Sequence, residues 1–164
     1  ALYTGLVNDT GNFKHDNVTE ETFKMAGDLV KIGVNNSKIV REFLNTKSMA
    51  AIKFLGQAMY EMKFDEKKKL AYFYLSNEDF MKNGGRKEDT EEIVENLVSY
   101  EKAEVSLFLR EDTTGVIKGS MRSKHDIDVN AIAGIFGGGG HRKASGFTSE
   151  LPAEEIVRII LEKL

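Results

Sequence analysis

The sequence predicts an α/β fold, in which the end of a parallel-sheet domain is followed by a small mixed-sheet α/β domain. Apolar residues recur at helical spacing through much of the first third of the chain. From residue 70 onward, strand patterns and helix patterns alternate instead. The change falls at a charged segment, residues 65–69 (DEKKK), which is typical of a solvated turn. We therefore expect two domains, residues 1–62 and residues 63–164.

The first domain is predicted to hold one strand and three helices. Residues 2–7 form a short apolar run and are expected to be a buried strand, followed by a turn over residues 8–12. A helix is predicted to begin after Thr19, because threonine is a good N-cap and two glutamates follow in the first turn. Two more helices are predicted from apolar residues at positions 39, 40, 43 and 44 and at positions 52, 55, 59 and 62.

The second domain is predicted to alternate strands and helices. Residues 70–75 (LAYFYL) suit a buried strand, and residues 89–100 suit a helix that begins with a capping box of Asp89 and Glu92. Alternating apolar residues predict a hairpin with strands near 105–109 and 117–121 and a turn over residues 112–115. A helix near 129–136, a strand near 144–148 and a last helix with Pro152 in its first turn complete the prediction.

Composition excludes several classes of function. The net charge of −3 argues against a generally basic nucleic-acid binder, so an anionic ligand needs a local site. The absence of cysteine excludes disulfides, thiolate catalysis and cysteine-ligated zinc. No apolar stretch approaches the roughly 18 residues of a membrane span, and no signal peptide is recognisable, so we expect a cytoplasmic location and no membrane partner. Because Ala1 is not an initiator Met, we expect the chain to be a piece of a longer protein.

The most informative segment is residues 137–146, which read GGGGHRKASG. Four consecutive glycines let the backbone approach a ligand, and their free N–H groups can form an anion-binding concavity. His141 places an imidazole at the rim, with Arg142 and Lys143 beside it. A flexible linker is the alternative, but the flanks are a helical pattern and a compact small-residue segment. We therefore predict an ordered phosphate-binding loop.

Two further positions are candidates for ligand binding. Arg122 and Ser123 end the second hairpin strand, where a guanidinium and the glycine loop can hold one phosphate from several sides; a surface arginine on an edge strand is the alternative. Asp9 follows the predicted first strand, and a carboxylate at the carboxyl end of a sheet can bind a metal or ligand. The alternative for Asp9 is a turn in which its side chain serves only the backbone.

Together these segments resemble a known family. Residues 122–124 (RSK), 128–133 (DVNAIA), 136–141 (FGGGGH) and 144–146 (ASG) are similar to the DHH-associated C-terminal domain of DHH-family phosphoesterases. Residues 4–13 (TGLVNDTGNF) and 18–23 (VTEETF) resemble the last conserved motif of the catalytic DHH domain. The branch that the chain most resembles is the nanoRNA phosphodiesterases, or oligoribonucleases, which also dephosphorylate 3′-phosphoadenosine 5′-phosphate (PAP). Lys14 and Ser145 depart from the residues usual in that branch.

The resemblance implies a metal-dependent phosphodiesterase that hydrolyses short oligoribonucleotides, and PAP as a further substrate. Asp9 corresponds to a metal-binding aspartate, and the family centre uses two divalent metals, commonly Mn2+, held by several Asp and His residues that include an Asp-His-His motif. That motif does not occur in this sequence. His141 and Arg122 are the implied catalytic residues. The implied substrate-binding residues are Arg122, Ser123, Gly137, Gly138, Gly139, Gly140 and His141.

The expected behaviour of the chain follows from this division. It should bind short oligoribonucleotides or nucleotide phosphates and be inactive without the missing metal ligands. A homodimer is kept as an open alternative. Two other functions also stay open: a cyclic dinucleotide phosphodiesterase, and a non-catalytic RNA- or nucleotide-binding module.

Overall fold

The structure is a computed structural model that describes residues 1–113 and 115–164. It divides into two compact units, residues 1–47 and residues 48–164. The second unit holds a six-stranded mixed sheet with helices, so the predicted α/β class is confirmed. The domain boundary expected after residue 62 stays a prediction. Within the described residues, no helix combines the length and the apolar character that a membrane span requires.

The first unit consists of helices α1 (Leu2–Asp9), α2 (Glu20–Lys31) and α3 (Asn36–Phe43). The strand predicted over residues 2–7 is therefore wrong. Tyr3 and Val7 lie one helical turn apart and are buried in a cluster with Ala26, so the apolar run has the spacing of a helix face. A short apolar run does not distinguish a strand from a buried helix by itself, which explains the error.

The start of α2 agrees with the sequence. Thr19 is its N-cap, with its hydroxyl accepting a hydrogen bond from the backbone N–H of Thr22, and Glu20 and Glu21 occupy the first turn. The favourable interaction of acids with the helix N-terminus is thus in place.

Within the described residues, the second unit contains five α-helices, six strands and a 3-10 turn over Lys87–Thr90. The α-helices are α4 (Met49–Glu61), α5 (Asn77–Asn83), α6 (Ile93–Val98), α7 (Val129–Gly134) and α8 (Ala153–Lys163). The strands are β1 (Lys63–Asp65), β2 (Leu70–Leu75), β3 (Val105–Thr113), β4 (Val116–Ser123), β5 (Gly139–His141) and β6 (Ala144–Ser149).

The strand order in the sheet is β1-β2-β3-β4-β6-β5, and only β2 and β3 run parallel. Strand β2, the β3–β4 hairpin and strand β6 confirm the corresponding predictions. The turn predicted over residues 112–115 includes residue 114, which lies outside the described residues. Strand β5 was not predicted, because its residues are glycines and a histidine, which have little strand propensity.

The two faces of the sheet are covered differently. One face, here called the α7/α8 face, packs a continuous core that includes Leu107, Met121 and Ile156. The opposite face, here called the α4/α6 face, packs a second core that includes Phe54 and Phe108. That second core covers β2 and β3, whereas the same face of β4, β6 and β5 carries partly or fully exposed residues. The candidate site lies on this open area.

Two local predictions in the second unit need correction. The helix predicted over residues 89–100 is shorter, because a 3-10 turn precedes it and α6 begins only at Ile93. Asp89 does not form a capping box with Glu92. Its carboxylate accepts instead from the backbone N–H of Arg86 and from the hydroxyl of Ser48, at 2.7 Å each. Both of these partners precede Asp89 in the chain, so the spacing to Glu92 was misleading.

Candidate functional site

Strand pairing brings Arg122 and His141 onto one face of the sheet. Arg122 of β4 lies opposite Ala144 of β6, and Ala144 lies opposite His141 of β5. Residues directly opposite one another point to the same side of a sheet. The alternation along β3 and β4 assigns this side to the α4/α6 face, since Phe108 and Ser120 are also paired there. With strands about 4.8 Å apart, the Cα atoms of Arg122 and His141 are separated by roughly 10 Å.

The glycine run is an ordered part of the sheet. Phe136, just ahead of it, stacks on Phe147 with ring centroids 4.4 Å apart. Gly137 has a φ of +71°, and its N–H donates to the carbonyl of Gly134. A glycine in this conformation is the usual residue after the end of a helix. Gly137 thus ends α7 and turns the chain into β5.

The remaining glycines differ in what surrounds them. A Cβ on Gly138 would lie 2.3 Å from the carbonyl oxygen of Gly146. A Cβ on Gly140 would lie 2.5 Å from the carbonyl oxygen of Ala144, and the φ of Gly140 is +150°. A Cβ on Gly139 would meet nothing closer than Asn130 Oδ1 at 3.6 Å. The fold therefore requires glycine at 138 and 140, but it places no such demand on position 139.

Gly139 and Gly146 form a floor without side chains. They lie directly opposite one another on β5 and β6, and Ser120 of β4 is the next residue across the sheet. We call the surface of Gly139 and Gly146 the glycine floor. It lies beside the row that contains Arg122 and His141, so a flat group can approach the backbone there with charged and polar side chains alongside.

Arg122 is held at two of its three guanidinium nitrogens. Its Nε donates to Glu95 Oε1, and its Nη1 donates to the carbonyl of Met121 at 3.0 Å. The side chain is 29% exposed. Among the hydrogen bonds of residues 1–113 and 115–164, none uses Nη2 of Arg122. That nitrogen can therefore donate to an anionic ligand without breaking an existing bond.

The side chain of His141 is exposed and makes no hydrogen bond or ion pair to the described residues. Arg142, by contrast, serves the fold. Its Nη2 donates to the carbonyl of Asp126 at 2.9 Å, and its own carbonyl accepts from the N–H of Val129. These two hydrogen bonds tie the hairpin turn after His141 to the start of α7. The sequence had placed Arg142 beside His141 at the rim of the loop, whereas the contacts seen for it are with Asp126 and Val129.

Ser123 lies on the other side of the sheet from Arg122. It is 8% exposed, and its hydroxyl donates to the carbonyl of Ile127 at 2.8 Å. Its predicted contact with substrate stays a prediction, although the side chain is not brought to the α4/α6 face. Ser145, which departs from the usual family residue, is also buried and donates to the carbonyl of Val129 at 2.7 Å.

Asp9 lies in the first unit, at the end of helix α1, with an exposed side chain. Its backbone carbonyl accepts from Asn17 Nδ2 at 3.0 Å and faces His15 Nδ1 at 3.3 Å. Within the described residues no group of three or more His, Cys, Asp or Glu side chains could hold a metal ion. One exposed carboxylate does not fit a two-metal centre.

Sequence reasoning missed three residues near the site: Glu95, Ser106 and Asn130. Glu95 reaches Arg122 from α6, Ser106 lies opposite Arg122 on β3, and the Asn130 carboxamide is the group nearest to Gly139. Each of these contacts depends on pairing between segments distant in the chain. No local pattern in the sequence indicates them.

The second unit is an α/β domain whose mixed sheet ends in a glycine-rich edge strand and carries an arginine and a histidine on its open face. The chain belongs to the DHHA1 domain family, whose model matches residues 67–164. The expected family is thereby confirmed.

Similar proteins extend the comparison beyond that domain. The bifunctional oligoribonuclease and PAP phosphatase NrnA of Thermus thermophilus is 32% identical over 147 residues, which are 90% of this chain and 43% of that protein. The protein of the same name from Bacillus subtilis is 28% identical over 145 residues, or 88% of this chain and 45% of the relative. The chain thus spans less than half the length of these two relatives.

Solved structures agree on the fold. The crystal structure of an exopolyphosphatase-related protein from Bacteroides fragilis superposes with a TM-score of 0.92 and 33% identity, and the match covers 99% of this chain and 48% of that one. A pGpG-specific phosphodiesterase from Vibrio has a TM-score of 0.55 at 14% identity, covering 99% of this chain and 54% of that one. The second match is a likeness of fold alone.

Proposed function

We propose that this chain is the nucleotide-binding part of a phosphodiesterase that hydrolyses short oligoribonucleotides and PAP. The observation that carries the proposal is the alignment of Arg122 and His141 beside the glycine floor on one open face. The relatives named as oligoribonuclease and PAP phosphatase match nearly the whole chain and support the same substrate class.

In the proposed complex, Arg122 donates from Nη2 to a phosphate oxygen of the nucleotide. His141 donates a second hydrogen bond to the phosphate from the far end of the same row. The glycine floor takes the flat base or the sugar, because a group can approach the backbone there without meeting a Cβ. A guanidinium and an imidazole acting on one anion from two strands fix its orientation as well as its charge.

Cleavage is proposed for a longer protein that contains this chain, and not for this chain alone. Asp9 would contribute one ligand to a manganese site, and a two-metal site needs further carboxylate or histidine ligands that the described residues do not bring together. Hydrolysis in the presence of Mn2+ is therefore tested on the longer protein, with diribonucleotides, PAP and cyclic dinucleotides as substrates. Turnover of cyclic dinucleotides alone would favour the alternative phosphodiesterase, and turnover of none of them would favour a binding module.

The binding proposal is tested on this chain by isothermal titration calorimetry with a 5′-phosphorylated diribonucleotide. Arg122→Ala removes a hydrogen bond from a charged donor, which is worth about 1.5–3 kcal/mol and corresponds to a loss of affinity of roughly 10-fold or more. Arg158→Ala is the matched control, because Arg158 is an exposed arginine of α8 paired with Glu162 at 2.8 Å. Equal affinity of the Arg122→Ala variant and the unmodified chain would refute the proposed site.

A further inference from the structure

Glu95 is the acidic partner of the proposed phosphate-binding arginine. It lies in the first turn of α6, and its Oε1 accepts from Nε of Arg122. The side chain of Glu95 is 56% exposed, so its position does not result from burial of the carboxylate itself. Something else in the structure has to place it over the sheet.

The anchor is Ser106, on the strand next to Arg122. Ser106 is fully buried, and its hydroxyl donates to the carbonyl of Val94 at 2.7 Å. Ser106 and Arg122 are directly opposite one another on β3 and β4. The residue after Val94 is Glu95, so the bond from Ser106 sets the first turn of α6 directly above the arginine.

The packing of α6 strengthens this placement. Ile93, Val94 and Leu97 are buried in the core of the α4/α6 face. Buried apolar residues on both sides of Glu95 leave the helix little freedom to shift along the sheet. The carboxylate is therefore presented by a rigid element, although it is itself exposed to solvent.

We propose that Glu95 is a positioning residue that holds the guanidinium of Arg122 with Nη2 directed to the ligand. This inference rests on the proposed function and adds a residue that orders Arg122 before the ligand binds. Glu95 fixes Nε and the Met121 carbonyl fixes Nη1, so in the contacts of the described residues Nη2 is the nitrogen left available for an anion. Ordering the arginine before binding removes the entropic cost of ordering it during binding.

The opposite role would be competition, in which the carboxylate repels an incoming phosphate. The two roles differ in what a glutamine at position 95 does. Glu95→Gln keeps an oxygen that accepts from Arg122 Nε but removes the negative charge. Glu95→Ala removes both the acceptor and the charge. A positioning residue is replaced well by glutamine and poorly by alanine, whereas a competitor is relieved by both substitutions.

The test measures binding of a 5′-phosphorylated diribonucleotide to the chain by calorimetry. We expect Glu95→Ala to weaken binding about 2- to 12-fold, the range for ordering one long side chain on association. Glu95→Gln should stay within 2-fold of the unmodified chain. Glu162→Ala is the matched control, because Glu162 is an exposed glutamate paired with an arginine and 59% of its side chain is accessible, close to the value for Glu95.

A double-mutant cycle separates positioning from a general effect on folding. In the Arg122→Ala background, Glu95→Ala should have no further effect on affinity, because the residue acts only through the arginine. Thermal unfolding of Glu95→Ala should match that of the unmodified chain. Tighter binding of both Glu95 variants, equal weakening by both, or no change in Glu95→Ala would each overturn the inference. An unchanged affinity in Arg122→Ala alone would instead refute the proposed function.

Discussion

Adjacent glycines of the run should respond in opposite ways to the same substitution. At Gly140 an alanine would take a φ of +150° and bring its Cβ to 2.5 Å from the Ala144 carbonyl oxygen. The backbone conformation costs about 1–3 kcal/mol for a residue with a side chain. Relieving the overlap costs about another 1–3 kcal/mol. Gly140→Ala should therefore lower the free energy of unfolding by about 2–6 kcal/mol, or the unfolding midpoint by roughly 5–20 °C.

At Gly139 the same methyl group fits without overlap and makes an ordinary van der Waals contact with Asn130 Oδ1. The nearest atom is 3.6 Å away, and φ is not in the left-handed region. A compatible alanine restricts the unfolded chain and stabilises by about 0.4–1 kcal/mol, so the unfolding midpoint should stay the same or rise slightly. On the proposed glycine floor the methyl would however occupy ligand space. A misfit of about 1–3 kcal/mol weakens nucleotide binding roughly 5-fold or more.

The assay combines differential scanning calorimetry with titration of a 5′-phosphorylated diribonucleotide, for both variants and the unmodified chain. We expect a stable Gly139→Ala variant that binds the dinucleotide poorly. A Gly139→Ala variant that unfolds as readily as Gly140→Ala would refute the pairing of β5 with β6. A stable Gly139→Ala variant with full affinity would refute the glycine floor as a ligand surface.

Two further predictions concern residues whose contacts are internal. Burial alone would raise the pKa of Asp112, but hydrogen bonds from Arg110 and Lys87 hold that pKa below its ordinary value. Asp112→Asn should thus cost about 1–3 kcal/mol at pH 7. The pKa of Asp112 is lower in the folded than in the unfolded protein, so this stability is present above about pH 4. It is lost as the pH falls through the folded-state pKa. Denaturation curves of the Asp112→Asn variant and the unmodified chain should therefore converge in acid. Ser123→Ala loses the hydrogen bond to the Ile127 carbonyl, so the free energy of unfolding measured in urea should fall by about 1 kcal/mol. Nucleotide affinity should stay unchanged. Weakened binding would instead show that Ser123 contacts the ligand.

Much of the second unit could be predicted from local patterns, and the failures have physical causes. Alternating apolar residues identified the β3–β4 hairpin, because every second residue of each strand packs into the core of the α7/α8 face. The run at residues 2–7 was ambiguous, since a short apolar segment has too few polar positions to show its period. Strand β5 could not be predicted, because pairing with β6 rather than side-chain preference makes it a strand.

The candidate site was predictable in its residue types and unpredictable in its geometry. Glycines next to a histidine indicate close approach of a ligand, and an arginine indicates an anion. Arg122 and Ser123 point opposite ways because successive residues of β4 face opposite sides of the sheet, and strand pairing decides which of the two is on the open face. The partner of Arg122 depends on where α6 crosses the sheet, which is a property of the packed core.

The four glycines show why a short motif can report on fold and function at once. Gly137 is required by the end of a helix, Gly138 by contact with β6, and Gly140 by both its backbone angle and that contact. Substitution at those three positions would cost stability even in a chain that binds nothing. Gly139 has no such internal reason in the contacts of the described residues, and the ligand proposed for the open face would supply one. The part of the motif that supports the proposed nucleotide binding is therefore this one residue, together with Arg122 two strands away on the same face.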